Sequence, residues 1–256
     1  MGINASELRD FLNQKVEQYN NLRFVVSDPI QVPKQFTHKQ DIEIAAFFAA
    51  TIAWGNRASI IKNAQNLMER MGNTPYDFVM HATSDDLKAL NGFVHRTFNE
   101  VDVLFFVQAL KNIYSRNKSM ETLFLPKNDE EHLHNAISRF REVFFDIRYP
   151  QRTSKHVSNP QKGSAAKRLH MFLRWMIRKD PNGVDFGIWK NISPSKLSCP
   201  LDVHSGNVAR KLGLLHRKQN DLKALMELDI NLRKLDPQDP VKYDFALFGL
   251  GVFEKF

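Results

Sequence analysis

Cysteine is almost absent from this 256-residue chain, Cys199 being the only one. That count excludes an intrachain disulfide, a four-cysteine iron–sulfur cluster and a cysteine-rich zinc site. Such usage fits a reducing compartment. Long hydrophobic runs are missing too: the N-terminal MGINASELRDFL is polar and amphipathic, without the apolar stretch that exports a chain or spans a bilayer. Strand signals are scarce, with brief Arg23 to Val26 the one candidate, and no segment repeats at a fixed period. The expectation is a soluble, cytoplasmic, helical protein. Gly2 followed by Ala5-Ser6 comes near a myristoylation pattern, but it has no basic patch beside it and is set aside.

A chain of this length buries a sizeable core, as one large domain or two closely packed lobes. Its 36 Lys/Arg against 28 Asp/Glu give a formal charge of +8, unevenly placed. Arg148 to Lys218 holds 15 Lys/Arg against three Asp, so the rest of the chain is net acidic. This asymmetry favours a polyanion, because each phosphate contact releases counterions and adds about one unit of salt slope. A solvated surface and an acidic protein partner are the alternatives that charge alone leaves open.

Helical signals run through the chain. Ile42 to Ile52 is an apolar run bounded by Asp41 and Trp54-Gly55-Asn56, and Arg57 to Met71 continues with helical spacing. Thr74-Pro75 reads as a cap and first-turn proline, and Ser84 precedes the acids of another helix start. Val101 to Tyr114 has the apolar density of a core helix, and Glu130 to Phe144 is more polar and expected at the surface. Tyr149 to Gly163 reads as an exposed basic loop. A helix beginning near Ser164 then carries Lys167, Arg174 and Arg178 as a polar stripe opposite Leu169, Phe172, Leu173 and Met176. Asp202 precedes a helix from Val203 to about Leu212, stopped by Gly213, and Asp239-Pro240 opens the apolar final helix Tyr243 to Leu250. The fold class is all-α. The layout expected is a central helical lobe at 36–145, a basic segment at 146–218 and a second lobe from 1–35 with 219–256.

Two residues carry potential chemistry. Lys167 reads as a basic side chain in solvent or on a phosphate, or as an amine nucleophile activated by the positive surround of Lys162, Arg168 and Arg174. Asp202 reads as a helix cap, a placement that also fixes a carboxylate where positive charge can build. Two potential metal ligands, Cys199 and His204, do not make a site, and the nine histidines show no ligand spacing. Trp175 and Trp189 read as packing residues. Trp54, at a helix end before Gly55-Asn56-Arg57, is placed to reach a bound strand.

Leu201 to His204 with Val208 to Leu214 resembles the VDTHV-x-RV-x-x-RLGL segment of the endonuclease III-like, helix-hairpin-helix DNA glycosylases. Gly163 to Leu169, GSAAKRL, is similar to their GVGRKTA. Ala45 to Asn56 resembles their strand-inserting helix and turn, and Asn73-Thr74-Pro75 their NTP. The stretch KGSAAKRLHMFLRWM, the PLDVH segment and the closing DPVKYDFALFGLG resemble, over nearly the whole chain, the bacterial family called domain of unknown function 2400. The glycosylase resemblance implies a two-lobed helical fold with a modified helix-hairpin-helix and a monomer bound to double-stranded DNA at the nucleoid. It implies N-glycosylase and abasic-site lyase activity, with Lys167 as the Schiff-base lysine and Asp202 as the catalytic aspartate. DNA contacts would come from Lys162, Gly163, Ser164, Arg168, Arg174, Trp54, Asn56 and Arg57. No redox cofactor is implied, although the resemblance allows a monovalent cation at hairpin carbonyls. The pattern departs in two places. Gln161 to Ala165 keeps one glycine where the family has two, and Lys167 and Asp202 stand 35 residues apart, a longer separation than in endonuclease III but one resembling some archaeal 8-oxoguanine glycosylases. A non-catalytic, structure-specific nucleic-acid-binding protein and a helical interaction scaffold are the rival readings.

Overall fold

The structure, a computed structural model, describes residues 4–256. Gly2 therefore lies outside the described residues. The fold is all-α. Its helices are α1 (Ala5–Tyr19), α2 (Leu22–Val26), α3 (Lys39–Thr51), α4 (Arg57–Arg70), α5 (Pro75–His81) and α6 (Glu100–Tyr114). They continue with α7 (His134–Phe144), α8 (Lys167–Ile177), α9 (Val203–Lys211), α10 (Leu222–Leu235) and α11 (Tyr243–Val252). β1 (Val94–His95) and β2 (Phe98–Asn99) form a small antiparallel hairpin. Helix starts follow side-chain oxygens that satisfy free N–H groups: Asn4, Asn56, Asn99, Asp202 and Asp221 all do so.

The chain forms two compact units. The first gathers residues through Phe24, Pro126–Asn135 and Asn159–Phe256, and the second Val25–Leu125 and Ala136–Ser158. Of the basic segment expected at 146–218, residues 146–158 thus fold with the second unit and the remainder with the first.

The second unit is built on phenylalanine. Phe47 stacks on Phe106 at 5.6 Å between centroids, Phe106 meets Phe144 edge-on at 4.8 Å, and Phe124 stacks on Phe140 at 4.5 Å. Because α7 places Phe140 and Phe144 one turn apart with Ile137, it buries that face, where composition had suggested a surface helix. The Tyr149–Gly163 loop is likewise less exposed than expected. Buried Asp102 accepts from Thr153 Oγ1 at 2.7 Å and from Arg152 Nη1 at 2.8 Å, drawing the Gln151–His156 turn inward.

In the first unit, α1, α9, α10 and α11 share an apolar core that includes Leu12, Val208, Leu225, Leu228, Leu247 and Leu250. α1 lies so close along α11 that a Cβ at Gly249 would sit 2.2 Å from Tyr19 Cδ2, so only glycine fits there. The expected strand at Arg23 to Val26 is instead α2. Phe24 meets Phe245 and Phe248 edge-on, so packing of one aromatic overrides the local β preference. α8 also departs from expectation. It is buried from Leu169 through Ile177, with Arg174 and Arg178 each 3% exposed, so its polar stripe is not solvated.

Candidate active site

Lys167 owes its place to an unusual entry into α8. Asn159 caps a single 3-10 turn, Pro160–Lys162, and Gly163 follows at φ +83, a left-handed geometry that glycine adopts freely. Ala166 is left-handed as well at φ +44, at a cost of about 1 kcal/mol, and its N–H donates to Ser164 Oγ at 3.1 Å. The chain is tied to the start of α10, where Leu222 N–H donates to the Gly163 carbonyl at 2.9 Å and Ser164 bridges Asp221. Lys167 is thereby the first residue of α8.

Asp202 is the N-cap of α9. Its Oδ1 accepts from the His204 and Ser205 N–H groups at 2.8 and 3.0 Å, while Ser205 Oγ accepts from the Asp202 N–H at 2.9 Å. Asn220 Nδ2 holds the Asp202 carbonyl at 2.8 Å. One carboxylate oxygen is thus committed to the helix and the other is turned elsewhere: Oδ2 stands 3.7 Å from Lys167 Nζ. The two side chains are 29% and 23% exposed, so the pair meets solvent. An amine and a fixed carboxylate within one contact can exchange a proton, and the carboxylate can stabilise positive charge beside the amine.

Asp244 of α11 is buried, 5% exposed. Burial pushes its carboxyl up to about 6, an effect that Asp202 reinforces and that Arg174 and Lys167 oppose. Arg174 Nη1 donates to Asp244 Oδ2, and Arg174 Nε donates to Asp185 Oδ1 at 3.2 Å. Arg178 adds bonds to Asp185 at 3.1 Å and Asp239 at 2.8 Å. Cys199 is buried with its thiol pushed well up and directed to Asp244 Oδ1 at 3.6 Å.

The model of the DUF2400 family, described as protein of unknown function, matches residues 28–253. The chain belongs to the DUF2400 family. Lys167, Asp202 and Asp244 all fall within the matched residues. No curated protein and no solved structure matches the chain.

The other expected contacts of this DUF2400 chain are divided. Lys162 and Gly163 are exposed at the turn before α8, and Ser164 is partly buried beside Asp221. Arg168 is partly buried, and desolvation brings its guanidinium down to about 10. Arg174, expected on a phosphate, instead spends its charge on two buried aspartates. Of the positive surround expected for Lys167, Arg174 is thus neutralised, and the carboxylate of Asp202 meets the lysine. Trp54, Asn56 and Arg57 belong to the second unit. Trp54 is partly buried, with its ring 5.1 Å from His95 and 5.9 Å from His156, while Asn56 caps α4 and Arg57 reaches Ser27. Trp175 and Trp189 are core residues. His204 is exposed while Cys199 is buried, and among the described residues no group of three or more His, Cys, Asp or Glu is arranged to hold a metal ion.

Between α7 and α8 the chain carries two 3-10 segments, Gln151–His156 and Pro160–Lys162. At the turn, the carbonyls of Asn159, Pro160 and Gly163 accept from the N–H groups of Lys162, Gly163 and Leu222. Asp244 is the site residue that the sequence reading missed, and its signal was present: one acid in the otherwise apolar helix YDFALFGLGV.

Proposed function

We propose that this protein is a DNA N-glycosylase with associated abasic-site lyase activity, related in fold to the two-lobed helical glycosylases and acting as a monomer on double-stranded DNA. The observation that carries the reading is the 3.7 Å approach of Lys167 Nζ to Asp202 Oδ2, with the carboxylate locked through its other oxygen. A damaged base leaves the stack so that C1′ meets the amine. Asp202 takes the ammonium proton, and the Nζ lone pair forms the bond to C1′ as the glycosidic bond breaks. The base departs with the electron pair of the glycosidic bond and takes the proton that Asp202 accepted. A proton passes from the new secondary ammonium to the ring oxygen as the C1′–O4′ bond breaks, leaving a protonated imine, from which loss of a 2′ proton expels the 3′ phosphate. Exposed Lys162 and the Gly163 backbone are the phosphate contacts beside the site.

Borohydride trapping on duplexes carrying an abasic site or an oxidised purine tests this directly. A covalent adduct lost in Lys167→Ala and kept in a Lys88→Ala control, which alters an exposed lysine of the second unit, is expected, and no adduct across a broad lesion panel overturns the lyase. One observation favours a second reading, a non-catalytic structure-specific nucleic-acid-binding protein: a single glycine follows the short 3-10 turn Pro160–Lys162 before α8, where the resembling family keeps two. Salt-dependent binding without trapping, unchanged in Asp202→Asn, selects that reading.

A further inference from the structure

Three consecutive residues, Asn220, Asp221 and Leu222, reach both halves of the proposed site from one short stretch at the start of α10. Asn220 Nδ2 donates to the Asp202 carbonyl at 2.8 Å, and its Oδ1 accepts from Arg210 Nη2 at 2.7 Å. Ser164 bridges Asp221, and the Leu222 N–H donates to the Gly163 carbonyl at 2.9 Å, so the same stretch holds the turn that delivers Lys167 to the start of α8. The stretch is itself anchored. Asp221 caps α10 by accepting from the Ala224 N–H at 3.1 Å and from Arg217 Nε at 2.7 Å. Arg210 in turn donates to the Arg217 and Lys218 carbonyls at 2.8 and 2.9 Å.

Gly206 of α9 completes the arrangement. It is buried, and a Cβ there would lie 2.8 Å from Asn220 Oδ1, 3.1 Å from Asn220 Nδ2 and 2.9 Å from Arg210 Nη1. Glycine is a poor helix former, and the backbone at 206 is helical, so no left-handed turn asks for it. The missing side chain is what lets the Asn220 amide lie against α9 and reach Asp202.

We propose that Asn220 is a positioning residue for Asp202 and that Gly206 is the clearance that admits it, so that residues 220–222 set the contact between the Lys167 amine and the Asp202 carboxylate. The inference rests on the lysine-nucleophile reading above. The Asp202 carbonyl accepts from the Gly206 N–H at 2.9 Å as well as from Asn220, and Oδ1 is bound to the His204 and Ser205 N–H groups. With the peptide plane and one oxygen held, the direction of Oδ2 toward Lys167 is fixed. Misplacing reacting groups by about 1 Å costs up to about 100-fold, so a brace that grips both sides of the contact acts on the rate.

Carbodiimide cross-linking of the full-length protein reads this contact without DNA, since both side chains meet solvent. The reagent converts the Asp202 carboxylate into an O-acylisourea, the Lys167 amine displaces the urea, and mass spectrometry quantifies the amide that joins the two peptides. The wild type gives this amide. Gly206→Ala evicts Asn220 while favouring the helix, and Asn220→Asp keeps an acceptor for Arg210 while losing the donor to Asp202. Each should lower the amide yield and the rate of borohydride trapping by about tenfold, with duplex affinity within about twofold of wild type and Tm within about 3 °C. Asn231→Ala removes an amide-to-carbonyl bond of the same kind, on Leu214 beyond the end of α9, and leaves both readouts at the wild-type level. A loss in Asn231→Ala equal to that in Asn220→Asp overturns the inference, as does an undiminished yield in Asn220→Asp and Gly206→Ala, or no Lys167–Asp202 amide in the wild type. Should Gly206→Ala not fold, Asn220→Asp, at an exposed position, decides alone. Amide yields that fall as expected with no trapping in any form defeat the glycosylase reading alone, and wild-type trapping undiminished in both variants defeats this inference alone.

Discussion

Asp202 divides two tasks between its two oxygens, so two substitutions should separate them. Asp202→Asn keeps a good N-cap acceptor for the His204 and Ser205 N–H groups but removes the charge opposite Lys167. The ion pair is part-exposed at 3.7 Å, so its loss costs no more than about 0.5 kcal/mol, with a similar loss of charge–dipole energy at the helix start. Asp202→Ala loses the cap as well, about 1 kcal/mol more. In a unit of this size each kcal/mol lowers Tm by about 2–4 °C, so the alanine variant should melt a few degrees below the asparagine variant. The borohydride adduct should fall by about 100-fold or more in both, since both lack the carboxylate at the reacting amine. Paired calorimetry and trapping read the two effects. Equal melting of both variants refutes the capping argument, and trapping in Asp202→Asn within threefold of wild type refutes the role of the charge.

Three further outcomes follow from the surroundings. Arg174→Met leaves Asp185 and Asp244 buried without their cation and should cost about 3–5 kcal/mol by denaturant titration, whereas Lys162→Met should leave stability unchanged and reduce the salt slope of DNA binding by about one. Gly163→Ala meets no atom within 4 Å and should cost only the left-handed backbone energy, about 1 kcal/mol in the same titration. His132, His134 and His170 form a cluster with ring centroids 5.3 and 5.4 Å apart, and burial pulls His134 down to about 4 and His170 well below its ordinary value. A histidine whose folded pKa is lowered gives stability that is present above about 6.5 and lost as pH falls. Asp229 and Asp244, raised to about 6, act in the opposite sense, giving stability present below about 4 and lost as pH rises through 6. His170→Leu, at a site where neither ring nitrogen finds a hydrogen-bond partner among the described residues, should therefore raise the urea midpoint at pH 5 more than at pH 7. Equal gains at both pH values would contradict the linkage.

How much was legible beforehand depended on whether a signal was local. The capping aspartate at 202, the stop at Gly213 and the long apolar helices α3 and α6 are written in adjacent residues, and each appears close to where it was expected. Partners distant in sequence were not legible. Arg174 looked like one more surface cation because its neutralising acids, Asp185 and Asp244, come 11 and 70 residues later. The α2 helix depends on where Phe24 meets α11, and the β1–β2 hairpin turns through Arg96 at φ +56 without the glycine or asparagine that marks such turns. Asp244 was visible as a lone acid in an apolar helix, but its partners Arg174 and Cys199 lie 70 and 45 residues earlier.

The central claim is that Lys167 is a nucleophile toward deoxyribose C1′. Its most direct test is peptide mapping of the protein after borohydride reduction on an abasic-site duplex. The account predicts a deoxyribose-derived adduct on Lys167 and on no other lysine, diminished in Asp202→Asn. An adduct on a different lysine, or none while the duplex is demonstrably bound, would contradict it.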